Sequence, residues 1–236
     1  MIKKVNLLLC SILMIGGCNV RERERSEEVI NSTVIEGNLN TEDTKEESVE
    51  NEVIESLKKP YVYENIKEGL LNVENEFGVA SYYMLLDKDN KKVGDRMKPT
   101  YIVIHNTANS APAVNEVKYL NSRENNSSTS FHFAVDDTGV YQAVNLKYNS
   151  WHAGNISMNR KSIGIEIAKS TINDNDVKDK AIENGAKLTA MLMNYYNIPL
   201  ENVITHKDVT GKNCPHDILS RYGYDNFWLL LKNYLA

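Results

Sequence analysis

Residues 60–236 predict an α/β fold, a single domain with a mixed central β-sheet flanked by helices on both sides, following a disordered tether. Three observations carry this expectation. Pro99–His105 and Ser162–Ala168 alternate with the two-residue period of strands, and helix-length amphipathic segments separate the predicted strands. Ser130–Val144 reads as two short strands around Asp136-Asp-Thr-Gly139, a hairpin that puts an antiparallel pair into the sheet. Residues 19–59 contain no aromatic residue and hold 12 acids against 6 bases. Such a composition buries too little apolar surface to offset chain entropy.

The elements follow in chain order. The N-terminus reads MIKKVNLLLCSILMIGGCNV: two lysines, an apolar run from Val5 to Ile15, then small residues before Cys18. This is the pattern of a secretory signal, and the run is shorter than the ~20 residues that span a bilayer. Ile15-Gly16-Gly17-Cys18 resembles the bacterial lipobox, so residues 1–17 are expected to be a lipoprotein signal peptide and Cys18 the lipidated residue. An ordinary signal cut near Gly17 is the alternative. Residues 18–59 then form the acidic tether, with a flexible-chain span of roughly 35 Å.

The acidity belongs to the tether. The whole chain carries −5, and residues 60–236 are close to neutral. No basic stripe points to nucleic acid as a partner. The domain is long enough to bury a sizeable core, and on oligomeric state the sequence is silent.

Within the domain, Pro99–His105 is a strand with Tyr101, Val103 and His105 on one face and Ile102 and Ile104 on the other. Residues 112–122 read as a helix with Pro112 in its first turn and Val114, Val117, Tyr119 and Leu120 buried. Ser130–Val135 and Val140–Val144 are the hairpin strands, with His132 on the face opposite Phe131 and Phe133. In Ser162–Ala168, Ile163, Ile165 and Ile167 point inward while Gly164, Glu166 and Ala168 face the other way. A long helix over about 176–196 stops near Asn197 before Pro199, Val203–Thr205 is a short last strand, and 225–235 is a closing helix.

Several residues carry chemistry. Glu166 interrupts an apolar strand, either on a solvated face or in a site, and Gly164 beside it often marks close approach of another group. His105 and His206 both end strands, and Cys214 follows on the loop after His206. Cys214 is the only cysteine of the predicted domain, Cys10 and Cys18 being in the leader, so no partner thiol competes for it. Zinc takes such Cys and His donors. By residue type alone, structural hydrogen bonding fits the histidines equally, and a small core residue fits Cys214.

YIVIHNTA, SFHFAVDDTG, WHAGN, NRKSIGIEIA and THKDVTGKNCPH occur in this order. Together they resemble the zinc-dependent N-acetylmuramoyl-L-alanine amidases, the family that includes phage lysozyme-type amidases and the peptidoglycan recognition proteins. The likeness is closest to Bacillus prophage endolysin amidases and covers roughly residues 97–236. It implies His105, His206 and Cys214 as ligands of a Zn2+ cofactor, Glu166 as general base and Lys212 as the catalytic lysine. It places His152 at the substrate groove as a contact or oxyanion donor. Trp151, His132 and Asn106 are further candidate site residues: Trp151 to cover a sugar face, His132 to line the site, Asn106 to orient His105. A structural role is open for each of the four. His216 is a poor ligand candidate once three are filled.

One departure matters. Many members carry tyrosine where this chain has Phe131, which cannot transfer a proton, so Glu166 must handle protons alone. The resemblance implies hydrolysis of the amide between the lactyl group of N-acetylmuramic acid and L-alanine in peptidoglycan or muropeptides. The N-terminal signal pattern and its lipobox-like end separately imply an exported protein, lipid-anchored at the outer face of a bacterial membrane. The rivals are a non-catalytic peptidoglycan-binding lipoprotein and a hydrolase of another amide, such as one in a cross-bridge.

Overall fold

A computed structural model describes residues 66–71, 79–169 and 172–235; the apolar leader, Cys18 and the acidic stretch lie outside the described residues. The strands are β1 (Ile66–Lys67), β2 (Leu70–Leu71), β3 (Ser81–Tyr83), β4 (Val93–Arg96), β5 (Tyr101–Asn106), β6 (Phe133–Val135), β7 (Val140–Gln142), β8 (Tyr148–Ser150), β9 (Ser162–Ile167) and β10 (Val203–Thr205). The helices are α1 (Ala113–Asn121), α2 (Ile156–Asn159), α3 (Asn175–Tyr196), α4 (His206–Thr210) and α5 (Tyr224–Leu235). Leu200–Asn202 form a 3-10 turn and Ile218–Tyr222 a π-turn.

The main sheet has six strands in the order β10-β5-β9-β6-β7-β3. Only the β6–β7 hairpin is antiparallel; β10, β5, β9 and β6 run parallel, as does β3 beside β7. The sheet is therefore mixed. Two short ladders, β1–β2 and β4–β8, lie outside it.

The two faces are packed differently, and the sequence alternation decides which is which. Ile102, Ile104, Ile163, Ile165, Ile167, Phe133 and Val135 form a large aliphatic core with Ile182, Leu188 and Met191 of α3 and with Phe227 and Leu231 of α5. A Cβ on Gly185 of α3 would lie 2.7 Å from Ile167 Cδ1, so the missing side chain lets the helix press onto β9. On the other face Ala134, Ala143, Val144 and Ala168 meet Ala113, Val117 and Leu120 of α1. Small residues there let one short helix pack close to the sheet, and the site cavity lies beside that helix.

Asp136 ties these layers together. Its carboxylate, 1% exposed, accepts hydrogen bonds from the backbone N–H of Ala113, Thr138 and Gly139 and from the Thr138 hydroxyl. The first of these satisfies an orphan N–H of α1, whose own cap position, Pro112, supplies no side-chain acceptor. The Asp136 carbonyl accepts from Asn184 Nδ2 of α3 at 2.8 Å, on the opposite side of the sheet.

Three expectations need correction. In α1 the buried stripe is Ala113, Val117 and Leu120, so Val114 is half-buried and Tyr119 is 57% exposed. The first hairpin strand is regular only from Phe133: Ser130 donates to the Trp151 and Lys92 carbonyls, while His132 still accepts from Ala143 N–H and donates to the Gly164 carbonyl. Phe131 and Phe133 therefore fall in different cores rather than on one face. Third, the loop expected to begin at His206 starts as a helical turn.

Replacing Asp136 by alanine removes a buried acceptor of four hydrogen bonds and is expected to lower unfolding stability by about 3 kcal/mol, with a partial loss for Asp136→Asn. Urea denaturation of the parent and both variants measures it. A loss below about 0.5 kcal/mol, the range of ordinary surface changes, would show that the carboxylate does not hold the hairpin to α1.

Candidate active site

The site is built from strand register. β5 and β9 pair in parallel along their full length, which sets His105 directly beside Glu166. β10 flanks β5 with Thr205 beside Ile104, so His206 emerges next to His105 at the carboxyl end of the parallel strands. Crevices at that end are the usual ligand positions in such sheets. The two imidazole rings have centroids 4.6 Å apart.

Cys214 returns to the same point through a turn encoded locally. Thr205 and Asp208 form a reciprocal capping box around α4, and Gly211 ends it at φ 78°, a left-handed conformation that favours glycine. Lys207 N–H then donates to the Cys214 carbonyl at 2.8 Å, folding the chain back on itself. Asn106 holds the far side. Its Nδ2 donates to the Ile167 carbonyl, and its Oδ1 accepts from Asp217 N–H at 3.0 Å and from Ile218 N–H at 3.4 Å. Asn106 thereby clamps the segment after Cys214 to the sheet and acts on the site through position.

His105, His206 and Cys214 offer three ligand atoms within 4.8 Å of one another, with Cys214 Sγ 3.8 Å from His105 Nδ1. A tetrahedral zinc site with bonds of about 2.0–2.3 Å needs its donors roughly 3.3–3.6 Å apart, so a small contraction suffices. Their chemistry also fits a cation. Burial keeps His105 well below the usual imidazole range and lowers His206, so both offer lone pairs. The Cys214 thiol is pushed up to about 11, chiefly by burial, and a divalent ion is what would favour its thiolate.

Glu166 lies next to this triad, with Oε1 3.9 Å from His105 Nδ1 and a side chain 20% exposed. Burial first, then the nearby Glu116 carboxylate, push its acid up to about 8, while Lys212 pulls it down. A carboxyl poised near neutrality beside a candidate metal site is suited to proton transfer. All of these residues line a cavity of about 340 Å³, walled on one side by Glu116, Tyr119 and Leu120 of α1 and by Phe131. A second recess shares Thr129, His152, His206 and Lys212 with the first and opens towards Trp151, Gly154 and Thr210. Lys212 itself is exposed at the rim between the two.

The remaining candidates sort by their hydrogen bonds. Trp151 lines the second recess, with its indole N–H donated to the Lys91 carbonyl at 3.2 Å. His132 is fully buried and lines neither recess. Its Nε2 faces the Tyr148 carbonyl at 3.0 Å, and its Nδ1 accepts from Gly164 N–H at 3.0 Å, so it braces the β6–β9 junction. His152 lies at the cavity floor with both ring nitrogens engaged by protein atoms, which leaves no N–H free for an oxyanion. His216 stays outside the ligand group among the described residues.

Three residues here were not singled out from the sequence. Asn159 accepts from the N–H groups of His152 and Ala153, Ser162 contacts the His152 ring, and Glu116 faces Glu166 across the cavity. Asn and Ser at a helix end and a strand start look like ordinary capping residues. Glu116 sits on a helix whose polar face reads as solvated.

The family described as N-acetylmuramoyl-L-alanine amidase matches residues 95–217. The chain is 45% identical over 145 residues to the N-acetylmuramoyl-L-alanine amidase CwlA of Bacillus subtilis strain 168, an alignment covering 60% of this chain and 50% of that protein. It thus spans about half the length of the curated relatives it matches. Among solved structures, the catalytic domain of XlyA, a Bacillus subtilis protein, is similar at TM-score 0.59 and 39% identity, covering 65% of this chain and 99% of that one. The PlyG catalytic domain is similar at TM-score 0.61 and 42% identity, covering 67% of this chain and 96% of that one.

The raised acidity constant of Glu166 predicts a pH signature of the metal-free protein. Between the unfolded carboxyl value near 4.5 and about 8, the folded state holds one proton more than the unfolded state at this group, so its contribution to stability falls as pH rises through that window. Glu166→Gln abolishes the effect. Melting of chelator-treated parent and variant from pH 5 to pH 8 should show the variant gaining on the parent as pH rises. A pH-independent difference would show that Glu166 titrates normally.

Proposed function

The chain belongs to the N-acetylmuramoyl-L-alanine amidase family, and from that premise we propose that it is a zinc-dependent amidase of peptidoglycan or muropeptides. The bond cut joins the lactyl carbonyl of N-acetylmuramic acid to the amine of L-alanine. The convergence of His105, His206 and Cys214 beside the perturbed Glu166 carries this reading.

A zinc ion held by His105, His206 and Cys214 supplies a Lewis acid that acidifies water and polarises an amide carbonyl. Glu166 takes a proton from the water that attacks the carbonyl carbon. As the carbon–nitrogen bond breaks, the same group returns the proton to the departing amine, so base and acid roles alternate on one carboxyl. Lys212, at the rim, presents its ammonium to the oxygen that gains negative charge. Phe131 lines the cavity without a transferable proton, so the proton traffic falls to Glu166. The site cavity and the recess adjoining it at His206 and Lys212 suit a substrate that extends beyond the scissile amide.

The N-terminal sequence supports export and lipid attachment at Cys18, with residues 19–59 as a tether that lets the domain reach the wall from the outer face of a bacterial membrane. In cells, Cys18→Ala should move the protein from the membrane to the soluble exported fraction; a parent protein that is already soluble would contradict the anchor.

Purified protein with zinc should release stem peptides bearing a free N-terminal L-alanine from peptidoglycan, and a chelator should stop it. Glu166→Gln should retain zinc and lose activity by ~10²–10⁴-fold, the scale of general acid–base catalysis. Mass spectrometry of the fragments reads the bond. Peptidoglycan bound but never cut would favour a binding lipoprotein, and cleavage at a cross-bridge would reassign the substrate bond.

A further inference from the structure

We propose that His152 is a positioning residue for the metal site: it fixes the tautomer and ring orientation of His105 so that a bare Nδ1 faces Cys214 and Glu166. This rests on the metal-binding part of the proposed function and adds a role that neither the sequence nor the resemblance assigned to this residue.

The proton positions follow from donors and acceptors alone. Nε2 of His152 faces two oxygens of Ser162, the carbonyl at 3.3 Å and Oγ at 3.2 Å. A carbonyl can only accept. The Ser162 hydroxyl donates its single proton to the Met158 carbonyl at 2.7 Å, so Oγ also accepts from the ring. His152 Nε2 must therefore carry the proton. In the neutral ring Nδ1 is then an acceptor, and it lies 3.1 Å from His105 Nε2. His105 must donate from Nε2, which leaves its Nδ1 unprotonated and facing Cys214 Sγ at 3.8 Å and Glu166 Oε1 at 3.9 Å. With both rings neutral, each link permits one assignment. Metal-bound histidines generally donate their second N–H to a fixed acceptor that sets tautomer and orientation, here another imidazole.

The surroundings of His152 are shaped for this task. Its ring sits over Gly164, where a Cβ would lie 2.5 Å from His152 Cγ, so only glycine at the centre of β9 admits it. Its backbone N–H and that of Ala153 donate to Asn159 Oδ1 at 3.1 and 2.7 Å. Asn155 caps α2 by accepting from Met158 N–H, which places the Met158 carbonyl for Ser162. The segment from Trp151 to Ser162 is thus a closed brace around one ring. His105, His152 and Ser162 are all nearly inaccessible to solvent, so water does not compete for these bonds.

The test uses His152→Leu, which fills the space but accepts no hydrogen bond, and His152→Gln, whose amide can accept from His105 and donate to Ser162. Zinc affinity, by competition with a chromogenic chelator, should weaken 10–100-fold in His152→Leu and recover most of that in His152→Gln. Nitrogen-15 NMR of the metal-free parent should show both His105 and His152 protonated at Nε2. This readout holds even if the leucine variant does not fold. A folded His152→Leu protein that binds zinc within twofold of the parent, or a parent whose His105 is protonated at Nδ1, overturns the inference. A parent that takes up no zinc refutes the metal reading and this inference together, a result distinct from either.

Discussion

Everything at the site depends on one constraint, the parallel register of three neighbouring strands. With β9 beside β5, His105 and Glu166 become lateral neighbours; with β10 beside β5, His206 joins them. A slip of one residue in either pairing would turn a functional side chain to the opposite face, into the aliphatic core. The isoleucines of β5 and β9 make that slip costly, because Ile102, Ile104, Ile163, Ile165 and Ile167 are all about fully buried against α3 and α5. The same alternation that builds the core aims the chemistry.

Burial then sets the electrostatics. The described site groups are arranged to be neutral: imidazoles kept unprotonated, a thiol pushed up to about 11 and a carboxyl pushed up to about 8. Buried lone pairs are costly where nothing pairs with them, and a cation is one partner that would take these. Lys212, exposed at the rim, lowers the acids and the histidines alike, yet burial still keeps the thiol up. A divalent ion would favour the charged forms of Cys214 and Glu166, so its uptake would be coupled to proton release.

How much of this could be read beforehand varies by element. The long strands, α3 and α5 follow from strong periodicity, and the hairpin from its turn residues, because local preference and tertiary packing agree there. The helical turn at His206 was legible in principle, since Thr205 and Asp208 have capping-box spacing, but its five residues are too short to show a period. Tyr119 was misplaced because an aromatic residue at helical spacing looks like core; here it borders the cavity instead. Gly164 carried a readable signal of close approach, yet nothing in the chain names the group that approaches. That His152 lies over it is a long-range fact of the tertiary fold. The ligand set came from resemblance to a family, and residue spacing alone left it open. The leader and tether fall outside the described residues.

X-ray absorption at the zinc edge of the purified domain, loaded with one equivalent of metal, tests the central claim most directly. The account predicts one sulfur neighbour at about 2.3 Å together with two imidazole nitrogens near 2.0 Å, the sulfur shell vanishing when Cys214 is replaced by serine. A spectrum of oxygen and nitrogen neighbours only, or a sulfur signal that survives the replacement, would contradict it.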